Sequence, residues 1–243
     1  MLLTQRPILS HGDDIAHQMV LEEAEKKADE LVGVLKDPTR PWSLRQMARN
    51  PLLLSTICLV HHAIGHLPEA RSQLYDECLG VLLRVRPDLR QDAKRGTLGF
   101  DPKAAKEVLQ PLAWAMQEAL GDDGSVKEFT TDEITARIAH PISEIHKLAG
   151  ITPEVFLERV TKECGVLRSQ DYDRYQFFHL SFQEYLAAED ACRRDAAADL
   201  ASRLGMQRWQ EPILLSMSLP GFFKPFMEAA LQREFAPHAE LLG

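Results

Sequence analysis

Between Arg174 and Asp190 the spacing of apolar residues changes period. Up to Phe178 the chain alternates, with Tyr175 and Phe177 on one face and Gln176 and Phe178 on the other, which is the signature of a short strand. From there the apolar positions fall at Phe178, Phe182, Tyr185, Leu186 and Cys192, a helical stripe that sets Gln183, Glu184 and Glu189 on the opposite face. A strand therefore runs directly into a helix, with His179 at the joint. A histidine there can project toward a neighbouring domain, or can simply pack and cap between the two elements.

The same periodicities place the other elements. Asp13 or Asp14 caps a helix to Lys36, with Ile15, Met19, Leu21, Ala24, Ala28, Leu31, Val32 and Leu35 inward, and Asp37-Pro38 ends it. Proline disfavours helical geometry in the residue before it, so Asn50-Pro51 marks a helix start. Gly65 stops that helix, which turns His66 away from His61 and His62 and removes the spacing a metal site would need. A further helix runs from Glu69 to about Val85 with Leu74, Cys78, Val81, Leu82 and Val85 buried, followed by a charged stretch containing Pro87, Gly96 and Gly99.

Asp101-Pro102 opens a helix whose inner face is Leu109, Leu112, Met116 and Leu120. Thr130-x-x-Glu133 is a capping box for a helix to about Ala139, and Thr152-Pro153 caps another through Cys164, with Val155, Phe156, Val160 and Cys164 inward. Short strands near 166–169 and 174–178 flank the turn Gln170-Asp171-Tyr172-Asp173. The order helix, helix, helix, hairpin, helix is that of a winged helix. Residues 191–204 read as an alanine-rich helical continuation, and 209–215 and 225–235 as a further helical pair. The expected fold is mainly α: a helical domain over 1–86, a linker over 87–101, a winged-helix domain with a small β-hairpin over 102–195, and from 196 to 243 the start of a second helical array.

Composition narrows the function. The chain is 45% hydrophobic and 26% charged, ordinary values for a globular protein. Its longest apolar run, Leu52–Ile64, contains Ser55, Thr56, His61 and His62, and the amino terminus lacks the pattern of a signal peptide, so a cytoplasmic, membrane-free protein is expected. The net charge of −8 argues against nucleic-acid binding by the whole chain. The helix that would enter a DNA groove carries Glu154, Glu158 and Glu163 against Arg159 and Lys162. Cys58, Cys78, Cys164 and Cys192 are far apart with no Cys-x-x-Cys pair and read as buried thiols rather than metal ligands or disulfides.

Phe177, His179, Ser181, Phe182, Glu184, Tyr185, Leu186, Ala187 and Ala188 closely resemble the end of the winged-helix domain in NACHT-type STAND nucleotide switches, whose pattern there is Phe-x-His-x-Ser-Phe-x-Glu-Tyr-Leu-Ala-Ala. Asn50-Pro51-Leu52-Leu53-Leu54 and Leu67-Pro68-Glu69-x-Arg71-x-x-Leu74-Tyr75-x-Glu77 resemble that family's first helical domain. The resemblance spans about residues 14–220. It implies that His179 touches the β-phosphate of bound ADP and holds the closed state, that Pro51, with Asn50 before it, packs at the adenine, and that ADP/ATP exchange, with Mg in the parent protein, controls oligomerisation in signalling or defence.

The phosphate loop Gly-x-x-x-x-Gly-Lys-Ser/Thr is absent, since no glycine here precedes a lysine, and no acidic magnesium-binding strand is intact. The expectation is a non-enzymatic regulatory part that works with an NTPase core from a parent chain or a separate protein and forms a homo-oligomer on activation. The alternatives are a winged-helix DNA-binding regulator and an interaction scaffold without enzymatic activity.

Overall fold

Asp101 and Thr152, each followed by proline, start their helices as the pattern predicts. The Asp101 carboxylate accepts from Ala104 N–H at 3.0 Å and the Thr152 hydroxyl from Val155 N–H at 3.4 Å. The computed structural model describes residues 11–37, 45, 47–49, 51–68, 70–84, 101–121, 125–171 and 173–239. They divide into two units, the first ending at residue 69 and the second beginning at Ala70. Ten α-helices and one small sheet are seen among the described residues.

The first unit pairs α1 (His11–Lys36) with α2 (Pro51–Ile64). Leu31 is buried on α1, whereas Met19, Leu21 and Val32, expected on the inner face, are exposed; one partner helix cannot cover so broad a stripe. Gly65, at φ 78°, ends α2 by donating its N–H to His61 O at 2.8 Å. Cys58 is exposed rather than buried and lines a cleft of about 300 Å³ between the two helices.

The second unit contains α3 (Arg71–Leu83), α4 (Pro102–Glu118), α5 (Thr131–Glu144), α6 (Pro153–Lys162), α7 (Leu180–Arg193), α8 (Ala197–Ala201), α9 (Gln210–Met217) and α10 (Phe223–Ala239). The expected 87–101 linker lies almost wholly outside the described residues. On α3 the buried positions are Leu74, Tyr75, Cys78, Leu79 and Leu83, one step round from the expected stripe of Val81 and Leu82. The box at Thr130 is complete: its hydroxyl accepts from Glu133 N–H at 3.2 Å and Glu133 accepts from Thr130 N–H at 2.9 Å. α5 runs past Ala139 to Glu144 because Ile142 prolongs the buried i, i+4 row of Ile134 and Ile138. α6 buries Phe156, Leu157 and Val160 but exposes Val155.

The sheet adds a strand that the sequence pattern did not show. β1 (Phe129–Thr130), β2 (Leu167–Asp171) and β3 (Arg174–Phe177) lie antiparallel in the order β1-β3-β2, with Phe129 opposite Tyr175 and Leu167 opposite Phe177. Two residues are too few for a period to register. Phe129 is buried beneath the Arg137 guanidinium, 4.7 Å from the ring centre.

α7 forms the axis of this unit, packed against α4 on one side and α9 on another. Ala187, Ala188 and Ala191, all fully buried, let those helices approach closely. The helix does not continue into the alanine-rich stretch. Asp195 takes φ 52°, Ala196 N–H bonds Ala191 O at 2.8 Å and Asp195 N–H bonds Cys192 O at 3.2 Å, which is the Schellman closure. A left-handed residue with a Cβ is strained, so Asp195→Gly is expected to raise stability by about 1 kcal/mol, read from the urea midpoint.

Candidate functional site

His179 is the N-cap of α7, with φ −138° and ψ 135°, continuing the extended path of β3. Phe178 N–H bonds Val166 O at 2.9 Å, which holds the chain against β2 until the turn into the helix. The imidazole Nδ1 accepts from Ser181 N–H at 3.2 Å, and the ring stands edge-on to Phe182, centroids 6.4 Å apart. Phe182 is fixed in turn by Tyr75 of α3 in a T-shaped contact at 6.2 Å. His179 is half-buried, and burial lowers its pKa from the ordinary histidine value.

A ring that accepts at Nδ1 is the neutral tautomer carrying its proton on Nε2. The imidazole therefore carries an Nε2–H at the start of a 14-residue helix, where the backbone also favours negative charge. Phe178 and Leu180 flank it, 42% and 38% exposed, so the donor sits within an apolar rim. Of the alternatives open in the sequence, the structure shows the capping one, and it uses Nδ1.

Pro51 is the first residue of α2, in the other unit, and is exposed; Asn50 lies outside the described residues. Within the second unit, Ser181 and Phe182 contact His179, and Tyr75 contacts Phe182.

Gln183, Glu184 and Glu189 do not form the solvated face that the pattern predicts. Gln183 is 2% exposed and donates to Gln117 Oε1 at 2.8 Å, and the Gln117 amide donates to Arg208 O at 2.5 Å. Asp190, 1% exposed, accepts from Arg193 and Arg194, each at 2.7 Å. α3, α4 and α9 pack around much of α7, so these polar residues become contacts between helices rather than a solvated face. The sequence signal was Asp190 with arginines three and four residues on, the spacing of a same-face ion pair.

Glu184 sits beside Glu211 of α9 and Arg71 of α3, and Arg71 Nη2 bonds Glu211 Oε2 at 2.8 Å. Burial pushes the Glu184 carboxyl up to about 7, Glu211 adds to the rise and Arg71 opposes it. A carboxyl whose folded pKa is raised costs nothing below its unfolded value; the cost grows as pH climbs toward 7 and is complete above it. Glu184→Gln is therefore expected to raise stability by about 1–2 kcal/mol at pH 8 and by much less at pH 5, measured by urea unfolding at both.

Three helices, a three-stranded sheet carrying a wing and a following helix define a winged-helix domain. Residues 71–191 match the family model of the winged helix-turn-helix domain C-terminal to NACHT, and this part of the chain belongs to that family. The match begins at the first residue of α3, so the family domain includes that helix as well as the wing. No curated protein and no solved structure matches the chain. Among the described residues, no helix is long and apolar enough to cross a membrane.

Proposed function

We propose that the chain is the regulatory helical and winged-helix part of a NACHT-type nucleotide switch, reading the ADP or ATP state of an NTPase core and thereby controlling oligomerisation in signalling or defence. The observation that carries this reading is the His179 ring, held by Ser181 N–H so that Nε2 bears the proton. A neutral donor on a helix start, rimmed by Phe178 and Leu180, suits a phosphate oxygen at an interface from which water is excluded. In the closed state His179 donates to the β-phosphate of ADP, while Pro51, with Asn50 before it, bears on the adenine. The core supplies the phosphate loop and magnesium that these 243 residues lack, and the chain alone does not turn over ATP.

DNA recognition is the weaker reading. The first turn of α6 carries Glu154, whose pKa is lowered by hydrogen bonds from its own backbone and Thr152, and Glu158 pairs with Lys162 at 3.0 Å. The test is ADP dissociation from a protein that joins these residues to an NTPase core, with and without the His179 imidazole. Unchanged dissociation defeats the proposal.

A further inference from the structure

Tyr185, 2% exposed in the middle of α7, places its hydroxyl between two acids. The oxygen lies 2.8 Å from Glu189 Oε1, one turn on, and 3.2 Å from Asp76 Oδ1 of α3. A phenol has one proton to donate and otherwise accepts, whereas an ionised carboxylate only accepts. Two ionised carboxylates cannot both be hydrogen-bonded to this hydroxyl. One contact would set lone pairs against each other at the buried Tyr185 hydroxyl, and of the two acids it is the Asp76 side chain, 43% exposed, that reaches water. The cluster is therefore one proton short unless one of the acids is protonated.

The surrounding bonds decide which acid. Asp76 Oδ1 is already paired with the ammonium of Lys106 of α4, so it has a donor without a proton of its own. Arg193 Nε donates to Gln110 Oε1 at 3.0 Å, and that fixes which way the Gln110 amide points. Its NH₂ group must face Glu189, and it reaches Oε2 at 3.2 Å. Glu189 Oε2 is thus an acceptor, and Oε1, the atom toward Tyr185, is the one to carry a proton. Burial raises the Glu189 pKa and Asp76 adds to the rise, while Tyr185, Lys106 and Gln110 act against it.

We propose that the second unit folds with one proton bound on Glu189 Oε1, which donates to Tyr185 Oη while the Tyr185 proton goes to Asp76 Oδ1. The relay runs from Gln110 and Glu189 through Tyr185 to Asp76 and Lys106, and it ties α3, α4 and α7 together. Other elements packed on α7 bring their charges elsewhere. Glu211 of α9 bears on Glu184, Asp199 of α8 pairs with Arg203, and Arg174 of β3 is exposed. On α7 itself, Asp190 is taken by Arg193 and Arg194, and burial first, with Asp195 adding to it, pushes the Cys192 thiol up to about 12. When Glu189 ionises as pH rises, it competes with Asp76 for the single Tyr185 proton, and the bond from α7 to Asp76 of α3 weakens. This inference is independent of the nucleotide reading.

Infrared difference spectroscopy of the 243-residue chain at neutral pH reads the proton directly, through the C=O band of a protonated carboxyl. Glu184 is removed from view by working in E184Q. The double variant E184Q/E189Q is expected to lose the equivalent of one protonated carboxyl per chain relative to E184Q. E184Q/D76N should lose it too, because the amide introduced by D76N can donate to Tyr185 and release the requirement for a proton. Identical bands in E184Q and E184Q/D76N would overturn the inference, as would their identity in E184Q and E184Q/E189Q. If either double variant fails to fold, the other still decides.

Discussion

Trp209→Ala is expected to remove about 3–5 kcal/mol from the stability of the second unit, the loss typical of deleting a fully buried large aromatic. Trp209 is 1% exposed and packs on Trp114 of α4 with ring centroids 4.6 Å apart. The Arg203 guanidinium lies 4.9 Å from Trp114 and 4.7 Å from Trp209, and it also bonds Glu118 at 2.6 Å and pairs with Asp199. Arg194, at the end of α7, lies 4.6 Å from Trp114. The buried Gln117 amide donates to Arg208 O next door, which fixes the backbone entering the 3-10 turn of Trp209.

Removal of the indole would open a cavity, expose that amide contact to water and take away one side of the arginine stack. The joint fastens α8, α9 and α10 to the winged helix, so urea unfolding followed by circular dichroism should show these helices lost first. Arg203→Ala should cost less, about 1–2 kcal/mol, since its ionic partners are partly exposed and a cation over an aromatic ring contributes modestly. A Trp209→Ala protein with an unchanged midpoint would mean that the trailing helices do not depend on the winged helix.

The fold was legible where a local rule decides it. Asp101-Pro102, Thr130-x-x-Glu133 and Thr152-Pro153 each need only a few residues to satisfy their own backbone, and each stands where predicted. The strand-to-helix change at His179 was legible for the same reason. What could not be read depends on neighbours distant in sequence. β1 exists because Phe129 and Thr130 pair with residues more than forty positions away. Glu184 and Glu189 look like a solvated face until α3, α4 and α9 are brought against them. The break at Asp195 was hidden because aspartate seldom takes the left-handed turn that glycine takes freely. His179 at the joint was legible in the sequence, but the division between an Nδ1 that accepts and an Nε2 that carries the proton needed the Ser181 bond.

That division makes a discriminating substitution available. His179→Ala removes the cap as well as the outward donor and should cost about 1 kcal/mol in the isolated chain, so a change in nucleotide retention could be blamed on a disturbed helix. Asparagine is among the strongest N-cap residues, and its side-chain oxygen can take over the bond from Ser181 N–H. It does not reproduce the Nε2–H donor at the far side of the imidazole. His179→Asn is therefore expected to leave the urea midpoint of the 243-residue chain within about 0.5 kcal/mol of the parent. In a protein carrying the NTPase core, a hydrogen bond to the diphosphate that exists only in the closed state contributes roughly 1.5–3 kcal/mol, and its loss shifts the closed-to-open ratio by about 10 to 150-fold. ADP dissociation should accelerate and trigger-free oligomerisation should rise with His179→Asn as much as with His179→Ala, although only the alanine variant loses stability. If nucleotide release instead tracks stability, changing with alanine and not with asparagine, His179 acts as a cap and the phosphate contact must be assigned to another residue.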